Sequence, residues 1–241
     1  SVAKRDGDDW ILSGQKTYIS NGILSDVVIV AAKTDPNATH SMGLFLVERG
    51  MPGFERGRNL AKMGMKAQDT AELFFENVRI PADNVLGPPD GGFFMLMQGL
   101  AEERLIAAVG NVVGCQMAMH VTKEFVQARK VFGKPLSKFQ NTRFKLAALD
   151  AEIDIAQTYV DRAVQVHNEG QLTSEDAARI KLYSSELAGR TVDECLQLHG
   201  GAGYMDEYPI CRMYQDERIN RILAGSSEIM KEIIARQILG R

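Results

Sequence analysis

Two adjacent glutamates on an apolar stretch are the first candidates for chemistry. Glu102 and Glu103 lie in a segment whose apolar residues recur every three or four positions, as on one face of a helix. On such a helix Gly99 and Ala107 lie one turn to either side of Glu103, so another molecule could approach closely there. A glutamate that loses its water at such a place can act as a general base. The alternative is an ordinary solvated face formed by both glutamates.

A second candidate is the cationic segment 129–134, Arg-Lys-Val-Phe-Gly-Lys, where a predicted helix ends at a turn. A guanidinium group makes bidentate hydrogen bonds to phosphate, so this segment could bind a pyrophosphate. The alternative is that the cations only complement the negative end of the helix dipole.

Two segments rich in small residues could each hold an anion or a carbonyl oxygen. Segment 197–203, Gln-Leu-His-Gly-Gly-Ala-Gly, is similar to a backbone anion nest, although a glycine C-cap explains it as well. It is not the dinucleotide-binding fingerprint, because no strand precedes it, and His199 is expected to pack or cap. Segment 224–228, Ala-Gly-Ser-Ser-Glu, precedes the last predicted helix, whose free N–H groups can bind an oxygen atom. Ser226 or Ser227 could equally be a plain N-cap.

The composition excludes several other kinds of site. The 241 residues carry a net charge of −3, which gives no electrostatic case for binding nucleic acid. Three scattered cysteines have neither disulfide nor zinc-ligand spacing, so we expect no metal site, buried thiols and a reducing compartment. The longest apolar run, 27–32, is too short to span a bilayer, so we expect a soluble protein that is not secreted.

The elements that must position these residues change character along the chain. Up to about Val85, short β-branched and aromatic runs alternate with turn residues, which predicts strands and hairpins. The runs are 10–12, 16–20, 27–32, 43–47 and 71–75, with turns at 13–14 and 21–22 and loops at 35–37 and 51–53. This pattern predicts a small antiparallel β-barrel or sandwich over residues 1–88.

From residue 89 the apolar period becomes helical, which predicts an up-down helix bundle over 89–241 and hence an α+β protein. The first helix should run towards Arg129, and the next should begin with Ser137 as its N-cap and reach about His167. Thr173 and Asp176 approximate a capping box for a third helix. Segment 226–239 should form the last helix.

The order of four blocks along the chain resembles the acyl-CoA dehydrogenase family. These blocks are Lys16-Thr17-Tyr18-Ile19-Ser20-Asn21-Gly22, Arg129-x-x-Phe132-Gly133, Gln197-x-x-Gly200-Gly201-x-Gly203-Tyr204 and Gly225-Ser226-Ser227-Glu228-Ile229. Segments 25–30 and 63–72 resemble the long-chain branch of that family. The resemblance implies a middle β domain and a C-terminal four-helix bundle. It also implies that the family's N-terminal helical domain, and one flavin-binding loop, precede Ser1.

The resemblance also implies FAD as cofactor, bound in four regions of the chain. Tyr18 and Ser20 would lie against the flavin ring, and segment 197–201 would cradle the adenosine diphosphate. The cofactor-binding positions implied are Tyr18, Ser20, Arg129, Phe132, Gln140, Gln197, Leu198, His199, Gly200, Gly201, Ser226 and Glu228. Of these, Arg129, Phe132 and Gln140 would reach the FAD of a neighbouring subunit in a homotetramer.

The catalytic base implied by the resemblance is Glu103. Many family members carry a glutamate just before the glycine of the last block, but Ala224 stands there in this chain. Long-chain and isovaleryl members carry the base on the first bundle helix, before an arginine, and Glu103-Arg104 matches that pattern. The implied substrate-binding positions are Phe94, Ala101, Arg104, Ala224 and Gly225. The implied reaction is oxidation of an acyl-CoA to its trans-2-enoyl thioester.

Several alternatives stay open from the sequence. The chain could be a non-catalytic scaffold of the same fold, an acyl-CoA oxidase or a short branched-chain dehydrogenase. The resemblance implies an electron-transfer flavoprotein as electron acceptor. The bacterial cytoplasm and the mitochondrial matrix are both compatible with the sequence.

Overall fold

A computed structural model of the chain describes residues 1–240. They form two compact units, the first ending at Gly99 and the second beginning at Leu100. The strands are β1 Val2–Asp6, β2 Asp9–Ser20, β3 Val27–Lys33, β4 Met42–Glu48, β5 Phe54–Asn59, β6 Thr70–Ile80, β7 Lys130–Val131 and β8 Lys134–Pro135. The helices are α1 Gly92–Ala128, α2 Gln140–Asn168, α3 Ser174–His199, α4 Pro209–Glu217 and α5 Ser227–Leu239.

The first unit contains a six-stranded sheet in the order β4-β3-β1-β2-β6-β5. Neighbouring strands are antiparallel except β1 and β3, which pair in parallel through Val2 and Lys33. The sheet is therefore mixed, which differs from the all-antiparallel sheet expected from the sequence. The difference arises from β1, whose pairing was not predicted: its hairpin with β2 fixes its direction and brings it beside β3.

Strand β2 is continuous, although a turn was predicted at Ser13-Gly14. The ladder to β6 shifts register between Leu12 and Gly14, and Gly14 has a φ of +135°, so the glycine allows a β-bulge instead of a turn. A second register shift lies between Lys16 and Ile19 and contains Tyr18. The two bulges bend the strand without ending it.

One face of the sheet buries an apolar core. Trp10 and Phe45 pack with ring centroids 5.5 Å apart. The buried members of this core are Ala3, Trp10, Leu12, Val30, Ala32, Phe45, Val47, Leu73, Phe75, Val78 and Ile80. Strand β5, missing from the sequence prediction, pairs with β6 and contributes the partly buried Phe54.

The helices of the second unit share a core built at three- and four-residue spacing. Leu105, Ala108 and Val112 of α1 pack with residues of α2 and α3, among them Ile153 and Leu187. The three cysteines are free and buried, as the sequence predicted.

The predicted helix starts are confirmed for α3 and α5 but not for α2. The Thr173 side chain accepts a hydrogen bond from the Asp176 N–H at 3.1 Å, and Ser226 is the N-cap of α5. The prediction of Ser137 as N-cap was wrong, because Leu136–Lys138 form a 3₁₀ turn. That turn closes when the Phe139 N–H bonds the Leu136 carbonyl, which leaves Phe139 as the N-cap of α2.

Helix α1 is, within residues 1–240, the one helix long and apolar enough to cross a membrane by length and composition alone. The length of uninterrupted apolar runs does not reveal this helix, because small and polar residues interrupt its apolar residues. One face of the helix is buried in the helical core through Leu105, Ala108 and Val112. Packing therefore accounts for the apolar character of that face.

Two glycines near the start of β5 give a matched test of how closely the turn there approaches β6. Both have left-handed backbone, Gly50 at φ +89° and Gly53 at φ +84°. A Cβ at Gly50 would meet nothing within 4 Å, whereas one at Gly53 would lie 2.1 Å from the Glu76 carbonyl oxygen. Gly50→Ala should therefore cost about 1–2 kcal/mol of unfolding free energy from backbone strain alone. Gly53→Ala should cost at least about 2 kcal/mol more, because the clash is with backbone.

Urea unfolding of the two variants, followed by circular dichroism, measures this difference. Equal losses for Gly50→Ala and Gly53→Ala would contradict the close approach of the Gly53 turn to β6.

Candidate functional site

Tyr18 combines an exposed aromatic ring with strained backbone. It lies near the end of β2, its φ is +62°, and its side chain is 79% exposed. Left-handed backbone costs a non-glycine residue about 1–2 kcal/mol, and an exposed aromatic ring contributes little to stability. Such outliers concentrate at binding sites. Ser20, two residues later, is also exposed.

The turn that follows Ser20 is held by charged side chains. Arg49 donates hydrogen bonds to three successive carbonyls, those of residues 23–25, at 2.9–3.1 Å. Arg56 donates to the Ile23 carbonyl at 3.1 Å, and a carboxylate oxygen of Asp69 accepts the Ile23 N–H at 2.7 Å. These bonds fix the backbone immediately after Tyr18 and Ser20.

In the second unit, Glu103 and Arg104 point to different environments. Glu103 is exposed, and Arg104 is 5% exposed. The Arg104 Nη1 donates to the Ser174 hydroxyl at 2.9 Å, while its Nε is buried without a hydrogen-bond partner. Burial lowers the pKa of Arg104, and the charges of Glu103 and Glu175 oppose that shift. A Cβ at Gly110, further along α1, would meet nothing within 4 Å, so open space adjoins the helix there.

A short hairpin presents the second exposed aromatic ring. Strands β7 and β8 are joined by Phe132 and Gly133, whose φ angles are +48° and +79°. Positive φ at both central residues is the type I′ turn, which favours Asn-Gly. Phe132 is 96% exposed, so neither its backbone nor its ring is explained by stability. Arg129 and Gln140, at either end of this segment, are exposed as well.

The glycine segment at the end of α3 is partly open and partly packed. A Cβ at Gly200 or Gly201 would meet nothing within 4 Å, whereas one at Gly203 would lie 2.6 Å from the Leu196 carbonyl oxygen. The first two glycines therefore leave their backbone accessible to a ligand, while Gly203 is required for packing. Gln197 is exposed and Leu198 is half-buried.

The His199 side chain is committed to the interior. Its Nδ1 lies 2.8 Å from the Cys195 carbonyl oxygen, and its ring stacks on Phe125 with centroids 4.2 Å apart. Burial lowers its pKa, and the hydrogen bond to Cys195 opposes the shift. The expectation that His199 packs is confirmed, so a ligand could reach only its backbone. Tyr204, five residues on and the last residue of the third sequence block, is 80% exposed.

The turn before α5 contains two successive left-handed residues. Ala224 has a φ of +52° and Gly225 one of +94°. Ser226 then caps α5, and Glu228 lies exposed in its first turn. The pKa of Glu228 lies below its usual range, because its own backbone N–H and the Ser226 hydroxyl hydrogen-bond its carboxylate. The structure adds Lys181 of α3, whose Nζ donates to the Gly225 carbonyl at 2.7 Å.

The structure thus links some of the predicted site residues and leaves others separate. In the second unit, α3 contacts both Arg104 and the turn at Gly225. Tyr18, Ser20 and the 61% exposed Phe94 belong to the first unit. No three His, Cys, Asp or Glu side chains among residues 1–240 are placed to hold a metal ion.

Family models match almost the whole chain. The acyl-CoA dehydrogenase middle domain matches residues 1–78, and the acyl-CoA dehydrogenase C-terminal domain matches residues 90–239. Long-chain specific acyl-CoA dehydrogenase of Mus musculus, a mitochondrial protein, is 50% identical over 240 residues. That alignment covers 98% of this chain and 56% of the mouse protein, so the chain spans little more than half the length of this relative.

Solved structures show the same fold. An acyl-CoA dehydrogenase from Geobacillus kaustophilus superposes with a TM-score of 0.96 at 45% identity, covering 98% of this chain and 63% of that one. A glutaryl-CoA dehydrogenase from Mycobacterium smegmatis in complex with FADH2 gives a TM-score of 0.93 at 32% identity, over 99% and 61% of the two chains. A mixed-sheet unit followed by helices, with the motifs of both matched domains in order, places this chain in the acyl-CoA dehydrogenase family.

Proposed function

We propose that the whole protein is an FAD-dependent dehydrogenase that converts acyl-CoA thioesters to trans-2-enoyl-CoA, with Glu103 as catalytic base. The observation that carries this proposal is the contrast between two positions. Ala224, before the glycine of the last block, has no group that can accept a proton, while Glu103 is an accessible carboxylate on α1. The adjacent Arg104 is anchored to α3, which fixes this part of the helix.

The residues present fit FAD in three respects. The accessible backbone of Gly200 and Gly201 offers N–H groups to phosphate or ribose oxygens, with Gln197 and Leu198 beside them. Tyr18 presents an exposed ring that can contact a flavin, and Ser20 offers a hydroxyl. Phe132 presents an exposed ring that would reach the FAD of a neighbouring subunit. Arg129 is an exposed guanidinium suited to a pyrophosphate. The remaining proposed cofactor contacts are Gln140, Ser226, Glu228 and the His199 backbone.

The chemistry of the chain's own residues is proton removal and charge stabilisation. Glu103 would remove the α-proton of the acyl group, once bound substrate excludes water from the carboxylate. The backbone N–H of Ala224 would donate to the thioester carbonyl and stabilise the negative charge that develops there. The cofactor supplies the acceptor for the β-hydride.

The proposed substrate and partners follow from the family. Phe94, Ala101, Arg104, Ala224 and Gly225 are the proposed substrate-binding positions. Because Arg104 is buried and bonded to Ser174, it would act by fixing the helix more than by touching the acyl chain. We propose an electron-transfer flavoprotein as electron acceptor and a homotetrameric assembly, in the bacterial cytoplasm or the mitochondrial matrix.

Glutamine at position 103 tests the catalytic base. Glu103→Gln should leave FAD bound, because the amide has the same shape, and should slow flavin reduction by acyl-CoA at least about 10²-fold. Stopped-flow absorbance of the whole, FAD-loaded protein measures this rate. Glu102→Gln is the matched control, since Glu102 is exposed on the same turn of α1 and should leave the rate near that of wild type. A normal rate in Glu103→Gln would refute the assignment.

The hairpin at Phe132 should show a trade-off between stability and cofactor binding. Phe132→Asn suits the type I′ turn and should raise the unfolding free energy of the cofactor-free chain by about 1 kcal/mol. The same variant should retain less FAD on gel filtration of the whole protein, because the exposed ring is lost. Phe132→Tyr keeps the ring and the strain, so it should match wild type in both measurements. Full FAD retention by Phe132→Asn would contradict the cofactor role.

A further inference from the structure

Lys181 is a charged residue with no exposed surface. It lies about two turns into α3, its relative exposure is 0%, and its Nζ donates to the Gly225 carbonyl oxygen at 2.7 Å. An ammonium group carries three donors, so one backbone carbonyl does not replace the water it loses on burial. Burial lowers the pKa of Lys181, the nearby Arg104 charge lowers it further, and Glu186 opposes both.

Stability alone does not explain a lysine at this place. An apolar side chain of similar length would fill the same space without desolvating an ammonium group, and such replacements of buried charges are often neutral or stabilising. The buried neighbours on α3 are the apolar Ile180 and Leu187 and the small hydroxyl residues Ser184 and Ser185, so Lys181 is the one buried residue of this stretch that carries a formal charge. The lysine therefore points to a requirement at the group it contacts.

The group that Lys181 contacts is the carbonyl of Gly225, the last residue of the strained turn. Ala224 and Gly225 are both left-handed, at φ +52° and +94°, and the next residue, Ser226, caps α5. A Cβ at Gly225 would lie 2.6 Å from the Met230 Cε, so the turn packs closely against α5. The bond from Lys181 fixes the orientation of the peptide that leaves Gly225.

Helix α3 holds this turn from a second position as well. The Ser227 hydroxyl donates to the Glu186 carboxylate at 2.7 Å, one residue after the cap and little more than one helical turn beyond Lys181. The same helix receives Arg104 through Ser174. Helix α3 is thus hydrogen-bonded both to the segment that carries Glu103 and to the turn that carries Ala224.

We propose that Lys181 is a positioning residue for the dehydrogenation, which holds the Gly225 carbonyl so that the Ala224–Gly225 turn presents the Ala224 N–H to the thioester carbonyl. This inference rests on the proposed function. Lys181 touches neither substrate nor cofactor in this scheme, and it acts through the turn. Its loss should loosen the turn and weaken polarisation of the thioester, while the rest of the helical core stays folded.

The test compares Lys181→Met with Ser184→Ala. Ser184 lies one turn along α3, where its hydroxyl accepts a buried hydrogen bond from the Asn111 Nδ2 at 3.0 Å and donates to the Lys181 backbone carbonyl at 3.3 Å. Its loss removes buried polar contacts of α3 but does not remove the bond from the Lys181 side chain to Gly225. The first readout is hydrogen–deuterium exchange of a peptide covering residues 223–230. The second is the fraction of a bound 3-oxoacyl-CoA, which enolises but cannot be dehydrogenated, that is present as enolate at fixed pH. Both use the whole, FAD-loaded protein.

Lys181→Met should exchange the 223–230 amides at least about tenfold faster and lower the enolate fraction several-fold, because the Gly225 carbonyl loses its charged hydrogen-bond donor. Ser184→Ala should change neither readout. Wild-type exchange and enolate fraction in Lys181→Met would overturn the positioning role, as would equal changes in both variants. If Lys181→Met does not fold, Lys181→Gln, which is neutral and shorter, decides by the same readouts.

The two proposals fail in different ways. If wild type neither enolises the 3-oxoacyl-CoA nor accepts electrons from acyl-CoA, the dehydrogenase function fails, and the role of Lys181 is overturned with it. If wild type does both and Lys181→Met behaves like wild type, only the role of Lys181 is overturned.

Discussion

The rotation of α1 about its own axis is the constraint on which the candidate catalytic site depends. Leu105, Ala108 and Val112 are buried in the helical core, so the helix cannot turn without exposing them. Successive residues of an α-helix differ by about 100° in direction. With that face fixed, Arg104 points inward to Ser174 and Glu103 remains exposed. A one-residue shift of the pattern would bury both neighbours in one direction and expose both in the other, so core packing makes Glu103 available while Arg104 is buried.

The site residues also show where this fold departs from what stability favours. Tyr18, Phe132 and Ala224 adopt left-handed backbone, which a glycine or asparagine would adopt at lower cost. Two of the three carry aromatic rings exposed by more than three quarters. Arg49, Arg56 and Asp69 hold the turn that follows Tyr18. Lys181 holds the Gly225 carbonyl, next to Ala224. Charged side chains that bond to backbone thus hold the segments that follow Tyr18 and Ala224.

Much of this architecture could be predicted from the sequence, because it follows from short-range patterns. Local spacing of apolar residues predicts the change from strands to helices near residue 90 and the length of α1. Local side-chain chemistry predicts the helix caps at Thr173 and Ser226. Strand β5 could not be recognised, because polar residues dominate it. The pairing of β1 could not be predicted either, because its partners are set by tertiary contacts. The bulge at Ser13-Gly14 could not be predicted for a related reason: these residue types favour a turn, but pairing with β6 keeps the strand continuous.

The candidate site could be predicted in its residues but not in its supports. The family resemblance pointed to Glu103, Arg129 and Ala224: Arg129 lies in one of the four blocks, Ala224 precedes the last block, and Glu103 stands before an arginine on the first predicted helix. Nothing in the sequence marked Lys181, since a lysine on an amphipathic helix is expected to reach solvent. Its burial depends on α5 and the turn at Gly225 lying against α3, which is a long-range arrangement.

The most direct test of the central claim is anaerobic absorbance of the whole, FAD-loaded protein, titrated with acyl-CoA thioesters from C4 to C16. The account predicts bleaching of the flavin band by at least part of the series, and the substrate that bleaches it at the lowest concentration would identify the preferred chain length. No bleaching by any straight or branched acyl-CoA, with FAD bound throughout, would contradict the dehydrogenase function and favour a non-catalytic scaffold.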